Sequence, residues 1–269
     1  MCEHPRLSYA FVGQSLMGCE ALAEVIATLG DPAIVLTRRT LDGWPNPVAD
    51  LCERRGLHWE AVPDGGLDLY DHRLISELAA TDVGLCCGWP RRIVPEAYDS
   101  PRHGTLNLHP GALPNWAGSD PIGWHLAAGT APIVCVVHQM TATVDAGPVL
   151  AAGTVDVVAE DDAGDLRRRC GATLGRLASE ALLMPVLKGP QTPAVDLQQA
   201  VPPRGVRPAL DPGRLTTATA ERVIRAFSPY PGAVAAHNGE WIVVVHPAGP
   251  ATATVHLDCS DGTLAVGRF

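Results

Sequence analysis

Short apolar runs alternate with segments of helical periodicity through the first two thirds of the chain. The strand-like runs cover residues 8–13, 33–37, 58–62, 83–87, 106–109, 133–140 and 149–158. The helical segments cover residues 18–29, 47–55, 74–80, 120–128 and 162–187. This alternation predicts an α/β fold, in which a mostly parallel, Rossmann-like sheet carries helices on both faces.

The composition of the chain changes after this alternation. Prolines are frequent over residues 189–213, which predicts an extended linker. A helical pattern at 220–227 follows, and Asn238-Gly239 between apolar runs favours a hairpin. We therefore predict a main domain over 1–188, the Pro-rich linker over 189–213, and a small β-rich carboxyl-terminal domain over 214–269.

The overall composition favours a packed, acidic protein. Hydrophobic residues make up 46% of the chain and charged residues 18%, and the formal net charge is −9. This charge argues against a nucleic-acid partner, since such proteins usually present a basic face. No apolar run is long enough to span a membrane, and the polar amino terminus lacks a signal-peptide core, so we expect a cytoplasmic protein.

Several common kinds of site have no motif in this chain. The eight cysteines include no C-x-x-C pair, which favours free thiols in a reducing compartment. The histidines match no standard zinc spacing, so no metal is expected. The absence of G-x-G-x-x-G, Walker A and G-x-S-x-G patterns disfavours a dinucleotide enzyme, a P-loop nucleotidase and a serine hydrolase.

The candidate chemistry lies in the segment T-L-N-L-H-P-G-A-L-P at residues 105–114. Asn107 and His109 are two residues apart on a predicted strand, so their side chains share one face at its carboxyl end. Ligands bind at that edge of α/β sheets. Asp145 lies in a loop between two later strand-like runs. Together, an amide, an imidazole and a carboxylate can perform acyl transfer from a small carrier to an amine.

The motifs around these residues resemble those of the folate-dependent formyltransferase family. This family includes glycinamide ribonucleotide formyltransferase, methionyl-tRNA formyltransferase, and N-formyltransferases of amino sugars and siderophore precursors. Its motif is matched in order by Asn107, His109, Trp124, Asp145 and Gly147. The later segment R-A-F-S-P-Y-P-G-A at 225–233 is similar to one in the tRNA and amino-sugar branches.

This resemblance implies a reaction and a role for each of three residues. The donor would be 10-formyltetrahydrofolate, and an amine would attack its formyl carbon directly. Asn107 would donate a hydrogen bond to the developing oxyanion. His109 would accept the amine proton or, when protonated, stabilise the oxyanion. Asp145 would orient the imidazole and raise its pKa.

The resemblance also implies two binding regions and makes the main domain the catalytic domain. The folate donor would be held by Gly88, Trp89, Pro90, Arg91, Ile93, Val94, Thr141, Val144 and Asp145. The acceptor would be bound by Gly111, Trp116, Ser119, Trp124, His138 and Tyr230. The chain departs from many members, because Gly111 replaces a serine and Trp116-Ala117-Gly118 replaces Tyr-Arg-Gly. The missing arginine removes a charge near the amine-side pocket.

The identity of the amine stays open at this point. The carboxyl-terminal part is short and has no excess of positive charge, which favours a small-molecule acceptor: a nucleotide-linked amino sugar, or a siderophore or secondary-metabolite amine such as hydroxyornithine. The alternatives are a methionyl-tRNA formyltransferase, a formyltetrahydrofolate hydrolase and a non-catalytic folate-binding relative. A strand at 241–245 offers an edge through which the chain could form a homodimer.

Overall fold

A computed structural model describes residues 7–41, 43–183, 209–228, 232–246 and 253–268. The chain divides into two compact units. The first comprises Met1–Ala117, Val134–Val155 and Arg168–Ala200. The second comprises Gly118–Ile133, Asp156–Arg167 and Val201–Phe269.

A seven-stranded sheet forms the centre of the first unit, in the order β5-β2-β1-β6-β7-β8-β9. Its strands are β1 (Tyr9–Gly13), β2 (Ile34–Thr37), β5 (Trp59–Ala61), β6 (Val83–Cys87), β7 (Thr105–His109), β8 (Ile133–Gln139) and β9 (Val149–Val155). The pairs from β5 to β7 are parallel, whereas β8 runs antiparallel to β7. A two-stranded hairpin, β3 (Thr40–Leu41) with β4 (Trp44–Pro45), is separate from this sheet.

The helices of the first unit begin and end at residues that suit their positions. They are α1 (Ser15–Leu29), α2 (Pro47–Arg55), α3 (His72–Ala79), the short α4 (Pro95–Tyr98) and α6 (Ala163–Leu183), of which the part from Arg168 onward belongs to this unit. Asn46 caps α2 by accepting a hydrogen bond from the Val48 amide, and Gly56 ends this helix in the left-handed conformation. Asp71 caps α3 in the same way as Asn46 caps α2.

Every residue of β1, β2 and β6 is buried, as expected for central parallel strands that are covered on both faces. Glycines let α6 approach α1 closely. A Cβ on Gly175 would lie 2.5 Å from the carbonyl oxygen of Ala21, and one on Gly171 would overlap the carbonyl oxygen of Met17. These backbone approaches fix where the two helices meet.

The second unit contains a five-stranded sheet in the order β10-β11-β12-β14-β13. Its strands are β10 (Ala209–Leu210), β11 (Ala233–His237), β12 (Glu240–Val245), β13 (Ala253–Cys259) and β14 (Gly262–Arg268). The unit also contains α5 (Pro121–Ala128) and α7 (Thr217–Phe227). Asn238 and Gly239 both have positive φ angles and turn the chain from β11 into β12, as the hairpin signal predicts.

The α/β fold, with its mostly parallel sheet and β-rich carboxyl-terminal part, is confirmed, and several details differ from the prediction. The hairpin β3–β4, the helix α4 and the strand β14 were not predicted. The second unit includes α5, so it begins long before residue 214, because Gly123 of α5 lies against the Ala226 carbonyl of α7. Most of the predicted linker lies outside the described residues, but Ala209–Leu210 at its end is a strand.

None of the helices within the described parts of the chain is long and apolar enough to cross a membrane. The cytoplasmic location and the homodimer stay predictions.

Candidate active site

The change of direction between β7 and β8 brings two polar side chains together. In the antiparallel register, Asn107 lies directly opposite His138, and His109 lies opposite Val136. Directly opposite residues project from the same face of a sheet. Asn107, His109 and His138 therefore share one face at the carboxyl end of β7.

The Asn107 amide nitrogen lies between two acceptors. It is 3.0 Å from Nε2 of His138 and 3.3 Å from a carboxylate oxygen of Asp145. On the other side of the His138 ring, Nδ1 lies 3.1 Å from the Gln139 carbonyl oxygen, which can only accept a hydrogen bond. The Nδ1–H tautomer of His138 therefore donates to this carbonyl, and its Nε2 accepts from Asn107.

His109 is fixed by a backbone carbonyl. Its Nε2 lies 2.7 Å from the carbonyl oxygen of Trp116, so Nε2–H donates and the lone pair of the neutral ring is on Nδ1. This contact requires a glycine at 111, where a Cβ would stand 2.8 Å from Nε2 of His109. The serine of many relatives is thus sterically disfavoured in this arrangement.

Burial and a carboxylate act on His109 in opposite directions. The side chain is almost fully buried, and this loss of solvent lowers the pKa of His109 below its usual value. The Asp145 carboxylate, 3.9 Å from Nδ1, raises the pKa of His109, but its effect is smaller than that of burial. The resting imidazole at neutral pH is consequently uncharged.

The loop between β8 and β9 presents Asp145 to both histidines. Asp145 has a positive φ of 55°, and its carboxylate is 7% exposed. The oxygen that contacts Asn107, Oδ1, lies 3.6 Å from Nε2 of His138, and the other oxygen, Oδ2, faces Nδ1 of His109. Gly147 lets this loop pass over Gln139, whose carbonyl oxygen occupies the place that a Cβ would take.

Hydrogen bonds link the two loops that were predicted to hold the folate donor, residues 88–94 and 141–145. One bond joins the loops to each other, and another joins the first loop to the Leu67 carbonyl. The Arg92 guanidinium donates to the Ala142 carbonyl oxygen at 2.7 Å. The Trp89 indole N–H donates to the Leu67 carbonyl oxygen at 2.7 Å. Gly88 turns the chain out of β6 with a φ of 67°. The sequence analysis did not predict this role of Arg92, because a bond to a backbone carbonyl leaves no sequence signal.

The predicted donor residues differ in exposure. Four of them are exposed, namely Pro90, Arg91, Thr141 and Val144. Ile93 is buried, while Gly88, Trp89 and Val94 are half-buried. Ile93, Trp89 and Val94 pack into one apolar cluster with Met140. The two loops therefore combine an apolar cluster with exposed residues.

The predicted acceptor residues are not all brought together. Gly111, Trp116 and His138 are buried around the Asn107–His109–Asp145 site. Ser119 and Trp124 belong to the second unit, where the Trp124 ring packs edge-on against Phe227 with centroids 5.3 Å apart. Tyr230 lies outside the described residues.

Metal ligands do not converge anywhere in the described ranges. No group of three or more His, Cys, Asp or Glu side chains there could hold a metal ion.

Comparison with known proteins identifies the family. A family described as "Formyl transferase" matches residues 20–182. A methionyl-tRNA formyltransferase of Dechloromonas aromatica is 34% identical over 188 residues, which are 65% of this chain and 61% of the relative. One of Variovorax paradoxus is 30% identical over 277 residues, covering 96% of this chain and 84% of the relative. The chain thus spans less than two thirds of the first of these relatives.

Solved structures share the fold at low sequence identity. HypX of Aquifex aeolicus, in complex with tetrahydrofolic acid, gives a TM-score of 0.62 at 16% identity and covers 97% of this chain and 43% of that one. A candidate sugar N-formyltransferase of Mycobacterium tuberculosis gives 0.60 at 17% identity, covering 92% of this chain and 100% of that one. With the family match covering residues 20–182, more than half of the sequence, the chain belongs to the formyl transferase family.

Proposed function

We propose that this chain transfers a formyl group from 10-formyltetrahydrofolate to the nitrogen of an amine at the Asn107–His109–Asp145 site. The observation that carries the proposal is the buried, neutral imidazole of His109, whose free Nδ1 lies 3.9 Å from a carboxylate. A neutral base beside a fixed negative charge can take up a proton and hold it as part of an ion pair. Direct attack by an amine requires such a group.

His109 acts as the base. The Trp116 carbonyl fixes Nε2–H, so the proton lost by the attacking amine goes to Nδ1. The imidazolium that results is stabilised by Asp145, which does not itself need to become protonated. A buried carboxylate beside a catalytic histidine orients the ring and stabilises the imidazolium in this way. The imidazolium then gives its proton to the folate nitrogen as the bond from that nitrogen to the formyl carbon breaks, which releases tetrahydrofolate and returns His109 to its neutral form.

Asn107 stays the predicted donor to the oxyanion that develops on the formyl group. In the resting arrangement its amide nitrogen contacts both Asp145 and His138. Since that nitrogen has only two hydrogens, donation to substrate requires one of these contacts to be released. A donor of this kind contributes about 3 kcal/mol to transition-state stabilisation.

The folate donor fits the two joined loops at residues 88–94 and 141–145. It supplies an activated formyl group, and the chain supplies an apolar wall from Trp89 and Ile93 beside the exposed residues 141–144. Binding of the folate ring in such a site needs no ion pair with the protein. The observation that supports this placement is that Asp145 ends one of these loops and faces His109.

For the acceptor, the comparisons favour the alternative of the sequence analysis over its main interpretation. Both curated relatives are named methionyl-tRNA formyltransferases, and one of them matches along 96% of this chain. We therefore propose methionyl-tRNA as the first acceptor to test. A small-molecule amine is the second candidate, because the net charge of −9 does not favour a polyanionic partner.

The test is a formyl-transfer assay with purified protein, 10-formyltetrahydrofolate and one amine at a time, following both tetrahydrofolate release and the formylated product. The amines are methionyl-tRNA, nucleotide-linked amino sugars and hydroxyornithine. We expect product with methionyl-tRNA only, with a KM that rises steeply with salt because phosphate contacts are salt-sensitive. Product with a small amine and no salt dependence would assign the second candidate.

Replacing the base tests the site itself. We expect His109→Ala to lower kcat/KM by about 10²–10⁴-fold, the usual contribution of a positioned general base. His103→Ala is the matched control, since His103 is exposed and contributes only backbone groups to its hydrogen bonds. Transfer by His109→Ala within twofold of the original rate would contradict the assignment.

The same assay separates two further alternatives. Tetrahydrofolate release without any amine would indicate a hydrolase, and folate binding without release would indicate a non-catalytic relative. Both outcomes would be inconsistent with the proposed transfer.

A further inference from the structure

A cleft in the second unit brings together two arginines from one helix. Its volume is about 190 Å³. Arg222 and Arg225 of α7 line it together with the end of α5, the turn that follows α5, and the segment 157–159. Residues three apart on a helix lie on one face, so both guanidinium groups reach the same space.

Backbone carbonyls use only part of the hydrogen-bonding capacity of these arginines. Nε of Arg222 donates to the Ala127 carbonyl oxygen at 3.1 Å, which satisfies the carboxyl-terminal end of α5. One terminal nitrogen of Arg225 donates to the carbonyl oxygens of Ala159 and Asp161. Nε of Arg225 is buried and has no partner among the described residues. A guanidinium carries five N–H donors, so several remain for a ligand.

Neither arginine is neutralised by an acid within the described ranges. The acidic residues nearest in sequence are Glu221 on α7 and Asp156 and Glu160 beside the segment 157–159, and all three are exposed. The Asp161 carboxylate accepts a hydrogen bond from the Val158 amide. The ion pairs found in the described residues include neither Arg222 nor Arg225. Both guanidinium groups therefore line the cleft without an acidic partner in the described parts of the chain.

We infer that this cleft binds the oxyanion of a phosphate ester. Planar guanidinium groups bind phosphate through paired N–H···O contacts, and two of them at one cleft match a diphosphate or two neighbouring phosphodiesters. Val157, Val158 and Leu126 form an apolar part of the lining. The polar side chains in the lining besides the arginines, His125 and Thr130, hydrogen-bond to each other at 2.7 Å, and neither is an acid. This inference does not depend on the proposed reaction, since the cleft would bind the phosphate with or without formyl transfer.

The test is calorimetric titration of the whole protein with inorganic pyrophosphate. We expect saturable binding, weakened at least about tenfold by Arg222→Gln, since this variant loses a charge-assisted hydrogen bond to the phosphate. Arg222→Lys keeps the charge but loses the planar guanidinium, so its affinity for pyrophosphate should lie between those of the original protein and of Arg222→Gln. Arg214→Gln is the matched control on the same unit, because Arg214 is exposed and pairs with Asp211.

Folding and the source of the phosphate are checked in the same series. Pyrophosphate should raise the thermal midpoint of the original protein and of Arg214→Gln but not that of Arg222→Gln. Competition by UDP would indicate a nucleoside diphosphate, and competition by a short unstructured RNA would indicate a nucleic-acid backbone. Equal binding by Arg222→Gln, no saturable binding by the original protein, or competition by neither compound would overturn the inference.

Discussion

His109 is held between burial, which lowers its pKa, and Asp145, which raises it. Burial has the larger effect, so the ring is neutral when the site is at rest. In the proposed reaction it becomes charged when it takes a proton from the amine. The carbonyl of Trp116 decides which nitrogen receives that proton. A change at any of these groups should therefore alter the pH dependence as well as the rate.

Replacing Asp145 by Asn should move the acid limb of the pH–kcat/KM profile to lower pH. The carboxylate raises the pKa of His109, so its removal lets burial lower that pKa further. The neutral base would then persist in more acidic solution, while the maximal rate falls because the imidazolium loses its partner. The measurement is kcat/KM across about pH 4.5–8, a range that brackets the usual histidine pKa near 6.5.

Asp99→Asn is the control for this prediction, since Asp99 is an exposed acid in the same unit. Its profile should superimpose on that of the original protein. An acid limb of Asp145→Asn that stays in place, or that moves to higher pH, would contradict the assigned coupling between Asp145 and His109.

The residue types of this site could be predicted from sequence, but their hydrogen-bonding state could not. The spacing of Asn107 and His109 on a strand fixes a shared face, and the family motif adds Asp145. The partner of His109 is a backbone carbonyl, and any residue at 116 offers one. The contact of His138 with Asn107 depends on a strand register that sequence spacing does not specify.

At the scale of elements, the site depends on a loop that passes very close to a strand. Gly147 lies over the end of β8, two residues after Asp145, and leaves no room for a side chain. The carboxylate is thereby held near both histidines. The position of this loop is a property of backbone packing and does not depend on any polar contact of Gly147.

We expect Gly147→Ala to reduce activity more than stability. The added Cβ would overlap the backbone of Gln139, which cannot move without displacing β8, so the loop must shift instead. Such overpacking costs about 1–3 kcal/mol, and a shift of about 1 Å in Asp145 can cost about 10²-fold in rate. Gly65→Ala is the control, because no atom lies within 4 Å of its added Cβ. Equal activity of the two variants would contradict this role.

The contact between α1 and α6 gives a prediction for stability alone. In Gly175→Ala, the gain in helix propensity of about 1 kcal/mol is outweighed by overlap with the Ala21 carbonyl oxygen, 2.5 Å from the added Cβ. We expect a net loss of about 1–2 kcal/mol in the free energy of unfolding, measured by urea denaturation. Retained stability would mean that α6 can move away from α1 at little cost.

Elements with strong periodicity were predicted well, and weak ones were missed. The sequence runs of β6 and β7 are apolar and bounded by glycine or proline, and their observed bounds agree with prediction to within one residue. The helix α4 has only four residues, too few for a periodic pattern, and β14 contains glycine at both ends. Long-range pairing with β13 stabilises β14, and no local signal reports it.

On the scale of the whole molecule, the free thiols are distributed through the interior. Cys52, Cys86, Cys87 and Cys135 are buried, and burial raises the pKa of Cys52 and of Cys86 to about 12. The pKa values of Cys87 and Cys135 are also raised. Since the thiolate is the reactive form, these groups should be inert in the folded protein.

We expect Ellman's reagent to modify these thiols only after unfolding. A Cys2→Ser variant removes the one cysteine outside the described residues, so that the remaining seven report on the fold. At pH 7.5 the native protein should react slowly, and the same protein in guanidinium should show all seven thiols promptly. In the native state only the half-buried Cys19 and Cys259 are expected to react fast. Fast reaction of more than these two thiols would contradict the burial described.

The division into two units could not be predicted from composition. The Pro-rich stretch marks a change in sequence, yet α5, which precedes it by more than sixty residues, belongs to the second unit. The reason is the close approach of α5 to α7 at Gly123, a contact between distant parts of the chain. Composition along the chain locates a linker, but it does not show which helices pack against each other.

The antiparallel pairing of β7 with β8 puts the polar side chains of the candidate site and the apolar packing residues on opposite faces. This separation affects which substitutions the chain can accept. Asn107, His109 and His138 occupy one face of this pair, while Leu106, Leu108 and Val137 alternate onto the other. Substitutions on the apolar face change packing but do not touch the reacting groups. Core residues on that face of this chain can therefore change, and its thermal stability with them, while the three polar side chains keep their places. A directed-evolution library confined to that face would sample stability at nearly constant turnover.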